Sequence, residues 1–101
     1  MIDIPIMATA NQSFTFTDPA GVLWELTIKA ARVTMCADIV RDGRTLVQGQ
    51  RIVADTPIIP YRYLSTQGNF AILTQDDELP WWESFGDTHQ LVYLLPEELG
   101  L

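Results

Sequence analysis

Val22-Leu23-Trp24-Glu25-Leu26-Thr27-Ile28-Lys29-Ala30 is the segment that most clearly predicts how this chain folds. Apolar side chains recur at every second position, and Glu25, Thr27 and Lys29 stand between them. A period of two is that of a β-strand, whose successive side chains point to opposite faces of a sheet. We therefore predict a strand with one face buried and the other in water.

The residues on either side continue this pattern and predict a meander. Residues 12–17 are rich in aromatic and β-branched side chains and end at the turn sequence Asp18-Pro19-Ala20-Gly21. Residues 32–41 alternate again, with Val33, Met35, Ala37 and Ile39 assigned to one face. The dipeptide Asp42-Gly43 suits a tight hairpin turn, and residues 45–53 return with a bulge or bend at Gly49.

The second half of the chain has a different texture. Residues 56–64 are apolar but contain two prolines, which predicts a packed connection covering one end of the fold rather than a central strand. Residues 69–75 and 89–95 are two further strands, residues 1–10 an extended arm or an edge strand, and residues 96–101 a short tail. We predict one all-β domain over residues 1–101, a small antiparallel barrel or sandwich of about six to seven strands.

Composition and charge exclude several classes of function. The chain has 101 residues, of which 48% are hydrophobic, and its net charge of −7 arises entirely from seven acids in residues 63–101. No cluster of Lys or Arg exists to bind nucleic acid or an anionic membrane, and no stretch approaches the roughly 20 apolar residues of a membrane span. The start does not resemble a signal peptide, and Cys36 is the only cysteine, so we expect synthesis in a reducing cytoplasm.

Catalytic and metal chemistry have little support in the sequence. The one histidine, His89, has Ser84 and Asp87 nearby, but no nucleophile elbow or oxyanion glycines accompany them. The acids of this region lack the spacing and the central glycine of a calcium loop; they are Asp76, Asp77, Glu78, Glu83 and Asp87. We expect no enzyme activity, no catalytic or metal-binding residues and no cofactor.

An aromatic cluster in the loop between the last two strands is the main candidate binding feature. Trp81, Trp82 and Phe85 are either anchors for a partner or a lid that folds back over the core, and a stacked-sugar site is a third interpretation. The acids beside them are either a solvated surface or an interface for a basic partner. The candidate partner-binding residues are Trp81, Trp82, Phe85, Asp76, Asp77 and Glu78.

The order of these features resembles the small baseplate plug proteins of contractile-tailed bacteriophages, a family first described from a cyanophage. The likeness runs from Gln12-Ser13-Phe14 through Arg41-Asp42-Gly43 and Leu46-Val47-Gln48-Gly49 to Pro60-Tyr61-Arg62-Tyr63-Leu64. It continues through Asn69-Phe70-Ala71-Ile72-Leu73 to Leu91-Val92-Tyr93-Leu94-Leu95.

The resemblance implies a structural virion protein at the centre of the tail baseplate. Its expected partners are the tube initiator, the hub and the spike, and we expect a homo-oligomer within that assembly, since closed oligomers are common. The alternative function is a small β-barrel module that binds a small ligand or carbohydrate.

Overall fold

Two antiparallel β-sheets make up the protein in a computed structural model that describes residues 1–75 and 78–99. The seven strands are β1 (Ile2–Ile4), β2 (Asn11–Thr17), β3 (Leu23–Ala30), β4 (Met35–Arg41), β5 (Arg44–Arg51), β6 (Asn69–Leu73) and β7 (Gln90–Leu94). The small sheet has the order β1-β7-β6 and the large sheet the order β2-β3-β4-β5. The all-β prediction is confirmed. Over the described residues neither sheet closes on itself, so the architecture is sandwich-like and not a barrel.

Short 3-10 helices supply the remaining regular structure, at Arg62–Leu64, Trp82–Ser84 and Pro96–Leu99. None of the helices within residues 1–75 and 78–99 has the length and apolar character that a membrane span requires. The helix Pro96–Leu99 lies beside the start of the chain, where the terminal ammonium of Met1 contacts the Glu98 carboxylate at 2.7 Å.

The large sheet is the predicted meander. In β3, Trp24, Leu26 and Ile28 are buried, as the period of two requires. Asp42 and Gly43 connect β4 to β5 with φ angles of +48° and +81°, the left-handed conformations of a two-residue hairpin turn.

Strand β4 begins three residues later than the alternation predicts. Ala31 N–H donates to the Thr34 carbonyl at 2.7 Å, which closes a turn before the strand. Val33, assigned to the buried face, is 70% exposed in that turn, whereas Met35 is fully buried. The prediction was wrong for Val33. This apolar residue fits the alternating pattern of the sequence, but it lies in the turn before the strand and so has no buried face to point to.

Strand β5 is irregular, as the glycine within it predicts. The register with β4 shifts on either side of Ile39, and Gly49 has a φ of +61°. The Asp38 carboxylate accepts the Gly49 N–H at 2.7 Å and so holds the bulge in place. One consequence is that the consecutive residues Leu46 and Val47 are both buried.

The proline-rich connection lies along the edge of β6 that does not pair with β7. Asp55 N–H donates to the Ile72 carbonyl and Ile58 N–H to the Phe70 carbonyl, at 3.0 and 2.7 Å. Ile58 and Ile59 are each 2% exposed, so this part of the connection belongs to the core. The connection therefore completes the small sheet without forming a strand of its own.

An aromatic cluster fills the space between the two sheets. Trp24 of the large sheet meets Phe70 edge to face with ring centroids 5.1 Å apart, and Tyr93 lies 5.4 Å from Phe70. Beside the cluster, the buried Asp18 carboxylate accepts hydrogen bonds from Trp24 Nε1 at 2.9 Å and from the Tyr93 hydroxyl at 3.3 Å. These bonds satisfy the polar atoms that the aromatic side chains carry into the core.

Candidate partner-binding surface

The segment that joins β6 to β7 carries the candidate residues. We call residues 78–89 the tryptophan loop; Asp76 and Asp77, two of the predicted site residues, lie outside the described residues. The loop stands at the end of the small sheet where β6 finishes and β7 begins. Strand pairing from Leu73↔Gln90 to Asn69↔Leu94 fixes that end relative to the rest of the sheet.

The buried residue His89 holds the tryptophan loop in place through hydrogen bonds. The imidazole is 1% exposed, and its Nδ1 accepts the backbone N–H of Trp81 at 3.1 Å. The His89 carbonyl accepts the Gly86 N–H at 3.0 Å, and the His89 N–H donates to the Ser84 carbonyl at 3.0 Å. One buried residue thus ties together three positions of the loop.

The bond to Trp81 also assigns the protonation of the ring. Since a backbone N–H can only donate, Nδ1 of His89 must be unprotonated, and in the neutral ring the proton resides on Nε2. There it faces the Glu78 carboxylate, with Nε2 and Oε2 3.3 Å apart. Both ring nitrogens therefore have hydrogen-bond partners, which are Trp81 and Glu78. Neither partner is Ser84 or Asp87, the residues considered for a catalytic triad, and the bonds of His89 hold the loop together.

The three aromatic residues of the loop differ in how far they face the solvent. Phe85 is 4% exposed and belongs to the core, where it supports the loop from inside. Trp81 and Trp82 are half-buried, pack against that core, and have ring centroids 6.3 Å apart. The tryptophans thus cover the core with one part of their surface and leave the other part accessible.

Exposed acidic side chains share the loop with the two tryptophans. Glu78, Glu83 and Asp87 are exposed, and Glu83 accepts a hydrogen bond from Trp81 Nε1 at 3.1 Å. Within residues 78–89 there is no Lys or Arg to balance them. Among the described residues no group of three potential metal ligands occurs. The outer surface of the loop therefore combines apolar area with negative charge.

A second exposed aromatic pair, Tyr61 and Tyr63, was not predicted from the sequence. Tyr61 and Tyr63 are 50% and 73% exposed, with ring centroids 5.9 Å apart. They precede β6, whereas the tryptophan loop follows it, so the two aromatic groups lie at opposite ends of the small sheet. The polar Arg62 between two tyrosines was the available indication that this part of the connection faces water.

An open cleft of about 590 Å³ lies at the tyrosine end of the small sheet. Its lining includes Asp18, Pro19, Gln67, Tyr93 and Glu97. Trp81 and Trp82 take no part in it, so the aromatics that suggested a sugar site and this cleft are separate features of the molecule.

A family model described as cyanophage baseplate Pam3 plug gp18 matches residues 1–97 of the chain. No curated protein is significantly similar to the chain. The match includes both sheets, the proline-rich connection and the tryptophan loop, and it confirms the resemblance stated from the sequence. The chain belongs to the cyanophage baseplate plug family.

Proposed function

We propose that the chain is a structural protein of a contractile-tail baseplate and acts there through contacts with neighbouring proteins. The observation that carries this proposal is the match of the plug family over residues 1–97. Within the assembly the chain would occupy the central plug position and meet the tube initiator, the hub and the spike. It would be made in the host cytoplasm and end in the virion tail.

The architecture supports a binding role without catalysis. His89 is engaged in holding the tryptophan loop, and the buried Asp18 is engaged by Trp24 and Tyr93. Both titratable groups thus serve the fold.

The tryptophan loop is the surface that we assign to a partner. Half-buried tryptophans supply rigid apolar area at small entropic cost, and the exposed acids of the same loop favour a partner patch rich in Lys or Arg. Trp81, Trp82, Glu78, Glu83 and Asp87 would form the contact, with Phe85 supporting it from the core.

Incorporation into tails tests the proposal. Tails would be assembled with wild-type chain or with a variant carrying Glu83→Lys and Asp87→Lys, and the chain in purified baseplates would be quantified by mass spectrometry. The charge reversal leaves the core untouched, and circular dichroism would verify the fold. We expect at least a tenfold drop in incorporation.

The control is Glu25→Lys, which makes one such charge reversal at an exposed position of β3. It should incorporate like the wild type. Absence of the wild-type chain from purified baseplates would contradict the proposed role itself. Normal incorporation of the double variant would instead contradict only the assignment of the loop.

A further inference from the structure

Within residues 1–75 and 78–99, the backbone groups along the outer edge of β2 have no hydrogen-bond partner from residue 13 to residue 17. Strand β2 stands at one end of the order β2-β3-β4-β5. Asp18 N–H donates to the Val22 carbonyl at 3.0 Å, and in an antiparallel ladder such pairs recur at every second residue. The backbone groups of Phe14 and Phe16 therefore bond to β3, and those of Ser13, Thr15 and Thr17 point away from the sheet.

The other three sheet edges are blocked. The edge of β6 is occupied by the connection, whose N–H groups at Asp55 and Ile58 bond to it. The edge of β5 is bulged at Gly49 and carries arginine at each end of the strand. Strand β1 has three residues and is followed by Pro5. Each of these devices is a known protection against pairing with another chain.

Strand β2 has none of these protections between residues 13 and 17. Its register with β3 is continuous from Asn11↔Lys29 to Thr17↔Leu23, without a bulge. The segment Ser13-Phe14-Thr15-Phe16-Thr17 contains no charge and no proline. In the described part of the chain, shielding is confined to the start of the strand, where the Gln12 amide bonds both backbone groups of Met7, at 3.1 and 2.7 Å.

We propose that β2 pairs with β2 of a second copy of this chain, antiparallel about a two-fold axis at Thr15. The segment is nearly palindromic, so this pairing sets Thr15 against itself and Ser13 against Thr17 on the outer face. On the inner face Phe14 meets Phe16 of the second copy, and both phenylalanines are half-buried in the single chain. Three hydrogen-bonded pairs would supply about six backbone hydrogen bonds.

The charge distribution permits a second copy at this edge. The chain carries a net charge of −7, which opposes self-association in general, but the paired segment is neutral. Cross-strand aromatic pairs contribute to pairing, whereas like charges directly opposite would oppose it. The edge gives the homo-oligomer expected from the sequence a specific interface, and its test needs only the isolated chain.

Light scattering during size-exclusion chromatography measures the association. We expect the wild-type mass to rise towards twice that of the single chain as concentration increases. Thr15→Pro removes an N–H that points away from β3 and places a ring in the path of the second strand, so it should remain monomeric with an unchanged circular dichroism spectrum.

A charge-swap experiment decides the register and remains informative if the proline variant misfolds. Thr15→Lys and Thr15→Glu should each be monomeric, because the axis sets residue 15 against its own copy. Mixing the two should restore the dimer. Thr45→Lys, at an exposed position of β5, is the matched control and should dimerise like the wild type.

Three results would overturn the proposal. They are a wild-type chain that stays monomeric at millimolar concentration, a dimer that persists in Thr15→Lys, and a mixture of the two charge variants that fails to associate. A monomeric wild type whose β2 edge is protected only by a segment of another baseplate protein would assign the edge to that protein instead.

Discussion

The side-chain amide of Asn69 forms hydrogen bonds with both the N–H and the carbonyl of Ile59, as the backbone of a neighbouring strand would. Ile59 N–H donates to Asn69 Oδ1 and Asn69 Nδ2 donates to the Ile59 carbonyl, each at 2.9 Å. Both residues are 2% exposed, so water cannot replace these partners. This single side chain fastens the proline-rich connection to the start of β6.

Asn69→Ala should therefore lower the free energy of unfolding by about 2–4 kcal/mol, since two buried backbone groups lose their partners. Urea unfolding followed by circular dichroism would measure it. Gln48→Ala, at an exposed position of β5, is the control and should change stability by less than about 0.5 kcal/mol. Equal effects of the two substitutions would contradict the role of Asn69.

Asp18 makes the stability of the fold depend on acid. Burial raises the pKa of the Asp18 carboxyl, but hydrogen bonds from Trp24, Val22 and Ala20 outweigh burial and hold that pKa below its ordinary value. The ionised group thus stabilises the fold above the unfolded-state pKa of about 3.9, and this contribution is lost as pH falls through the lower folded-state pKa.

Asp18→Asn should cost about 1–3 kcal/mol of unfolding free energy near neutral pH, because an amide offers one acceptor where the carboxylate offered two. The difference from wild type should stay constant above about pH 5 and shrink as the pH falls from about 5 to below 3. Urea unfolding across this range would show it, with Asp3→Asn as the exposed control. A difference that stays constant with pH would disprove the account.

Gly68 allows the Tyr93 ring to pack against the backbone. Its φ is +126°, and a Cβ at this position would overlap the Tyr93 side chain. Gly68→Ala should cost about 2–4 kcal/mol, from backbone strain and overpacking together. Gly21→Ala is the matched control, because Gly21 also has a positive φ but has open space around it. Thermal melts should place Gly68→Ala well below Gly21→Ala.

The His89 ring should be replaceable by asparagine but not by alanine. In His89→Asn the new side chain offers an amide oxygen close to the position of Nδ1 and keeps the Trp81 N–H bonded, whereas His89→Ala leaves that donor without its partner. We expect His89→Ala to cost about 1–2 kcal/mol more than His89→Asn. Quenching of tryptophan fluorescence by acrylamide should rise only in the alanine variant. Equal quenching in both variants would argue against the hydrogen bond.

Val33 and Met35 should respond oppositely to truncation although the sequence pattern places them on one face. Met35→Ala empties part of the core and should cost about 2–5 kcal/mol. Val33→Ala changes a side chain that is 70% exposed and should be nearly neutral. Chemical denaturation of both variants provides the comparison, and a large effect at Val33 would show that the turn before β4 is packed in solution.

The candidate site was only partly foreseeable. The aromatic and acidic composition of the tryptophan loop was visible in the sequence, but the burial of Phe85 was not, because an apolar residue in a loop has no periodicity to assign it a side. The exposure of Tyr61 and Tyr63 was hidden for the opposite reason. They follow Ile58 and Ile59, which are buried, and hydrophobicity alone does not distinguish the two pairs.

The local elements follow from the sequence alone: the alternation in β3, the Asp42-Gly43 hairpin, the bulge at Gly49 and the meander that they form. Each depends on backbone preferences and side-chain direction within a few residues. The choice of a sandwich depends instead on tertiary contacts, because β1 must find β7 at the other end of the chain. The same contacts place the connection over β6 and leave β2 open, since the hydrogen-bonding partners of an edge are set by packing and not by neighbours in sequence.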